Sequence, residues 1–187
     1  YFMDYFRSHR QEHRGKKIES AAVHKKIDKY YESNKDINII LPRWHAKTTR
    51  IIVNILHDLI YADWLDLLYL SSADLGKEAI GKIRIELETN ELIKLIYGSL
   101  CPQDDNSKKI SKLKKWKQKL LELLNGNSIE TMSKWQAMRG RRKHKVIVDD
   151  PQENKDVTTK EKCDKFNHYM FTTVYNTMLP GWNMVVM

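Results

Sequence analysis

At 187 residues the chain is long enough for one domain with a sizeable core and too short for two ordinary ones. Hydrophobic residues make up 41%, with only seven glycines and four prolines, which excludes a collagen-like or disordered chain and favours a helix-rich globular one. A net charge of +9 and a pI near 9.4 point to a polyanionic partner, either nucleic acid or an acidic membrane surface. Two cysteines, Cys101 and Cys163, are too few for a disulfide framework and lack metal-ligand spacing, so a reducing compartment is expected. No apolar run approaches the roughly 18 residues of a membrane span, and the basic, aromatic start is not a signal peptide. The chain begins at Tyr1 rather than Met and stops within a strand-like segment, and so reads as a piece of something longer.

Apolar positions at helical spacing in residues 1–34 predict two N-terminal helices separated near Gly15, packed on the domain that follows. Ile37-Asn38-Ile39-Ile40-Leu41 reads as a short buried strand ended by Pro42, which cannot donate to a ladder. A helix is expected from Thr48, with Ile51, Ile52, Ile55, Leu56 and Leu59 on one side. A second strand over 67–71 leads into a long amphipathic helix, which Asn90 ends before a shorter one over 91–97. This alternation predicts a mainly parallel central sheet with helical crossovers on its faces, over residues 35–187.

Segment 107–134 fits a helix by its spacing of Ile110, Leu113, Trp116, Leu120 and Leu124. Asn125-Gly126 between 120–124 and 128–132 instead favours a basic lead-in followed by a hairpin. A basic turn over 139–145 precedes a strand over 145–149. One helix over 158–178 is expected, opened by a capping box at Thr158 and Glu161. It stops before Pro180-Gly181, and a last strand begins at Trp182.

Two segments carry chemistry. A phosphate-binding loop holds phosphates with backbone N–H groups at a helix N-terminus, while one lysine reaches the terminal phosphates and one hydroxyl binds Mg²⁺. Over the pattern G-x-x-x-x-G-K-[ST], Leu41 and Ala46 take the two glycine positions, and Lys47 and Thr48 match. Without glycine, a left-handed Ala46 would cost roughly 1–2 kcal/mol, tolerable where packing and bound phosphate fix the loop. The loop set is Pro42, Arg43, Trp44, His45, Ala46, Lys47, Thr48 and Thr49, with His45 read as a spacer. The second segment, Val146-Ile147-Val148-Asp149-Asp150-Pro151, suits a strand buried on both faces that delivers Asp149 to the metal, directly or through water. Asp150 would orient and deprotonate the attacking water. The plainer reading of each segment is an ordinary strand–turn–helix and an acidic turn before proline.

Together these residues resemble the ATPase motor domain of the large terminase subunit of tailed bacteriophages and related viruses. The resemblance spans roughly residues 30–187. It rests on Leu41-Pro42-Arg43, two residues, then Ala46-Lys47-Thr48-Thr49; on Ser71-Ser72-Ala73 and Ile83 to Asn90; on Met138-Arg139-Gly140-Arg141 ahead of Val146 to Pro151; and on Leu179-Pro180-Gly181. Ala46 departs from the family's usual glycine, and Asp150 stands where many members carry glutamate. The resemblance implies a P-loop NTPase fold and a Mg²⁺-dependent, ATP-driven motor that threads double-stranded DNA into a procapsid. It implies Arg43 as the group that stabilises charge on the transferring phosphoryl or senses the γ-phosphate. Its implied partners are a portal protein, a small terminase subunit and further copies in a ring, in the cytoplasm of an infected host cell. The family's nuclease domain would lie beyond Met187, so no DNA cleavage is expected of these residues.

Other readings stay open: a different DNA-translocating ATPase or helicase-like protein, or a non-enzymatic basic DNA-binding assembly module. The lysines from Lys108 to Lys119 either track a DNA backbone or form a solvated face. One of Arg139, Arg141 and Arg142 could act on a neighbour's nucleotide. His9 and His13 share the i, i+4 spacing of a zinc-protease pair, but Glu12 sits beside the second histidine instead of the first, so both read as solvated, and Trp116, Trp135 and Trp182 read as packing residues.

Overall fold

The computed structural model describes residues 12–13, 16–17, 21–33, 35–42, 45–102, 116–136, 138, 140–152 and 157–187. Near the N-terminus, β1 (Glu12–His13) and β2 (Lys16–Lys17) form a two-stranded antiparallel ladder. This replaces part of the first expected helix; a glycine between two short polar pairs is as much a hairpin signal as a helix break. The second expected helix is present as α1 (Ala22–Tyr31).

The domain is α/β, built on a seven-stranded mixed sheet. Its strands are β3 (Ile37–Asn38), β4 (Asp66–Leu70), β5 (Trp116–Lys117), β6 (Leu120–Glu122), β7 (Ser128–Met132), β8 (Lys145–Val148) and β9 (Met184–Val186). The spatial order is β3-β9-β8-β4-β7-β6-β5. The first five run parallel, and β6 and β5 continue antiparallel at one edge. The hairpin expected around Asn125-Gly126 is present, with Gly126 at φ 89°; Trp116–Lys117 adds a strand where only a basic lead-in was expected.

Alternation sorts the central strands between two cores. Leu67, Tyr69, Ile147 and Val185 face α1, α2 (Lys47–Tyr61), α3 (Ala73–Thr89) and α4 (Glu91–Tyr97). Leu68, Leu70, Val146, Val148 and Met184 face the other side, against α5 (Lys160–Tyr169) and the segment after it. Coverage on both faces explains why β4 and β8 read as continuous apolar runs.

Boundaries follow capping chemistry. The Ser72 hydroxyl accepts from Leu75 N at 3.4 Å to open α3. Asn90 then closes α3 and opens α4, its side chain accepting from Leu92 N and Ile93 N at 3.1 and 3.3 Å.

Three expectations are corrected. The strand at 37–41 is short and lies at the sheet edge, with Ile40 85% exposed; a β-branched run indicates a strand but not its place in the sheet. The cap of α5 is Thr159, which accepts from Lys162 N at 3.3 Å, rather than Thr158. The helix also does not continue regularly to 178. It widens to a π-helical turn over Met170–Val174 and tightens to a 3₁₀ turn over Tyr175–Thr177. Thr172 Oγ1 donates to His168 O at 2.7 Å within this stretch, back-bonding that loosens regular helical geometry.

Candidate functional site

The C-terminal ends of β3 and β8 bring the two chemical segments together. After β3, Ile39 N donates to Val186 O at 2.8 Å, the chain leaves the sheet through Leu41 and Pro42, and α2 begins at Lys47. Ala46 is the residue before that helix, with φ 52° and ψ 31°. The position that carries glycine in the general phosphate-loop pattern is therefore left-handed here, with a Cβ in place. Its carbonyl accepts from Arg50 N at 2.9 Å, closing the first turn of α2.

A cleft of about 460 Å³ opens over this turn, lined by Pro42, His45, Ala46, Lys47, Thr48, Thr49 and Asp150. Arg43 and Trp44 lie outside the described residues. Lys47 is half-buried, and its ammonium makes no ion pair or hydrogen bond with any described residue. The α2 N-terminus also turns its first-turn N–H groups and the positive end of its dipole toward the same space. His45 is exposed, and its carbonyl accepts from His24 Nε2 at 3.0 Å, which ties α1 to the loop.

From the other segment, Asp149 immediately follows β8 and is only 5% exposed. Its Oδ2 accepts from Thr48 Oγ1 at 3.1 Å, across 101 residues of sequence. The same oxygen accepts from the Tyr69 hydroxyl. Burial pushes the Asp149 carboxyl above its ordinary range, and the neighbouring Asp150 charge adds to this. The bonds from Tyr69 and Thr48 and the charge of Lys47 only partly offset it. Asp150 is exposed at the mouth of the cleft with φ 43°, a left-handed conformation that aspartate tolerates better than most residues.

Neither a protein-family model nor a curated protein matches this sequence.

The donor set is hard and oxygen-based: one hydroxyl, one buried carboxylate beside it, and a second carboxylate on the next residue. Among the described residues no group of three or more His, Cys, Asp or Glu side chains gathers to cage a metal. Such a set fits Mg²⁺, which keeps several waters and binds through one or two carboxylates plus substrate phosphates.

Lys47, Thr48, Thr49 and Asp150 thus line one cleft, with Asp149 behind Thr48. Of the other basic positions, some are engaged elsewhere, some lie outside the described residues and two are exposed. Arg141 and Lys143 pair with Glu130, Lys143 at 2.8 Å, and Arg142 donates to Asn176 O at 3.2 Å. Arg139 and Lys108 to Lys115 lie outside the described residues, while Lys117 and Lys119 are exposed. Trp116 packs on α3, donating to Glu88 at 2.6 Å, and Trp182 stacks edge-on to His144. Among the described residues no helix is long and apolar enough to cross a membrane.

Two contacts were not read from the sequence. The His24 contact carried no local signal, since a histidine on a short amphipathic helix names no partner. Tyr69 sits in Leu67-Leu68-Tyr69-Leu70 and reads as core until the strand order places it beside Asp149.

Proposed function

We propose that this chain binds and hydrolyses ATP with Mg²⁺, as the ATPase motor domain of a viral DNA-packaging terminase. The observation that carries the reading is the Thr48–Asp149 contact, which joins the hydroxyl after the candidate loop lysine to the carboxylate ending β8. The left-handed Ala46 supports it, since the loop takes the backbone form of the glycine it lacks. A parallel sheet with the cleft at its strand C-termini supports it as well, that being where open α/β sheets hold ligands.

On this reading Lys47 and the first-turn N–H groups of α2 hold the β- and γ-phosphates. Thr48 and Asp149 hold the metal, whose chemistry when bound is to neutralise charge on the β- and γ-oxygens. Asp150 orients a water against the γ-phosphorus and takes its proton as the bond to the β-phosphate oxygen breaks and ADP leaves. Arg43 is assigned the developing phosphoryl charge on the family resemblance alone. Turnover would move double-stranded DNA only in a ring assembled on a portal protein with a small terminase subunit, in an infected cell. The net charge of +9 suits that polyanion.

Thermal denaturation tests the reading. Mg·ATP at about 100 times its dissociation constant stabilises the fold by roughly 2.7 kcal/mol. No shift with any Mg-nucleotide sinks it, and tight, salt-sensitive DNA binding without a nucleotide effect would favour a non-enzymatic DNA-binding module instead.

A further inference from the structure

Tyr69 is fully buried on β4, in a position where phenylalanine would carry the same ring into the core. Its hydroxyl is therefore surplus to packing, and a buried hydroxyl is costly unless it finds a partner. The register explains which partner it finds. Tyr69 pairs with Ile147 across the β4–β8 ladder, so Tyr69, Ile147 and Asp149 point to the same face. Asp149 lies two residues further on, about 6.6 Å along the strand. A tyrosine is long enough to cover that step, whereas serine or threonine at the same position would fall short.

We propose that Tyr69 is a positioning residue for metal binding, its phenol fixing the Asp149 carboxylate so that Asp149 and Thr48 present a preset pair of oxygens; this rests on the nucleotide-site reading above. Both hydroxyl bonds fall on Oδ2, which locks the carboxylate plane and leaves Oδ1 unengaged by either. An ionised carboxylate only accepts, so the Tyr69 phenol and the Thr48 hydroxyl are the donors. Thr48 likewise spends its proton on Asp149, which turns the lone pairs of its hydroxyl oxygen away from the carboxylate and frees them for a cation. Outer-sphere partners that orient a ligand in this way typically control metal affinity by about 10–100-fold.

The test is a Mg²⁺ titration of the thermal shift produced by a fixed concentration of a non-hydrolysable ATP analogue, repeated with the analogue in EDTA. In Tyr69→Phe the half-saturating Mg²⁺ concentration rises about 10–100-fold, while metal-free binding of the analogue matches the parent chain. An unchanged Mg²⁺ midpoint overturns the inference and leaves the nucleotide reading standing. Equal losses with and without metal also overturn it, because a merely structural role predicts that pattern. No Mg²⁺-dependent shift in the parent chain removes both the inference and the reading beneath it. Should Tyr69→Phe fail to fold alone, the comparison moves to the Asp149→Asn background. There Tyr69→Phe leaves the Mg²⁺ midpoint where Asp149→Asn puts it, and a further rise shows that Tyr69 does not act through Asp149.

Discussion

Helix α2 is fastened to strand β8 at both ends, and the two fastenings are built differently. At the start of β8, Lys145 donates to Asp58 at 2.7 Å and lies over the Tyr31 ring, while Tyr31 donates to the same Asp58 carboxylate at 2.9 Å. Beyond the end of β8, Asp149 receives, among the described residues, the hydroxyls of Thr48 and Tyr69. The spans agree: ten helical residues from Thr48 to Asp58 cover about 15 Å, and four strand residues from Lys145 to Asp149 cover about 13 Å. One clasp holds a carboxylate with its cation in place. The other holds a carboxylate that makes no ion pair with a described residue, near Lys47 and two left-handed non-glycine residues, Ala46 and Asp150. A clasp with its cation in place stabilises the fold, whereas, on the reading proposed above, the open one is the place where a metal and a phosphate bind.

The largest expected effect breaks the comparison at the open end. On the proposed ATPase reading, Asp150→Asn keeps nucleotide binding but loses roughly 10²–10⁴-fold in phosphate release, since the water would lose its base. Unchanged turnover in a steady-state assay would remove Asp150 from the mechanism and make it an ordinary acidic turn. At the closed end, Lys145→Met leaves the part-buried Asp58 charged and without its lysine, with His57 Nδ1 at 3.8 Å beside it. Breaking a fully buried pair costs about 3–5 kcal/mol and an exposed one about 0–1 kcal/mol. A loss of roughly 2–3 kcal/mol is therefore expected, measured as a lower urea midpoint with an unchanged slope. A loss under about 1 kcal/mol would mark the clasp as no stronger than a surface ion pair.

The contrast also shows what a linear reading captures. Thr48 and Asp149 were legible because each ends or begins an element with a clear hydrophobic pattern, and strand ends are where such groups converge. The sheet's mainly parallel character was legible for the same reason. The edge position of β3 was not, because Ile37 to Leu41 looks equally apolar wherever the strand sits. Neither were Tyr69 and Lys145 as partners of aspartates. Each pairing depends on which strands or helices become neighbours, and that is decided by the packing of the whole domain. The π-helical turn at Met170–Val174 likewise depends on local competition for carbonyls that periodicity does not record.

A pH series on stability separates the two carboxylates by sign. At Asp58 burial raises the carboxyl, but His57, Lys145 and Tyr31 outweigh it and hold the net value below the ordinary range. Its contribution is present above the unfolded pKa of about 3.9 and is lost as pH falls through the folded value. At Asp149 the folded value is raised instead, so its contribution is complete below about 3.9 and is lost as pH rises through the folded pKa. Urea midpoints should therefore show Asp58→Asn removing a loss of stability on the acid side. Asp149→Asn should remove a loss that develops above pH 4. Matching pH profiles for the two variants would mean that the clasps are electrostatically alike.

The smallest effect tests whether the open end is strained. Ala46 holds a left-handed conformation that costs an L-residue with a Cβ roughly 1–2 kcal/mol. Glycine relieves that cost but adds freedom to the unfolded chain, worth about 0.4–1 kcal/mol in the opposite direction. The balance predicts that Ala46→Gly raises stability by up to about 1 kcal/mol, read as a higher urea midpoint. The sign carries the meaning. Because glycine costs entropy in the unfolded chain, a gain reports relief at position 46, to which the preference of N-caps for glycine over alanine contributes in the same direction as the left-handed φ. A loss would mean instead that the Ala46 methyl contributes packing that outweighs the strain, and the turn would then be an ordinary helix start rather than a loop held in the shape that phosphate requires.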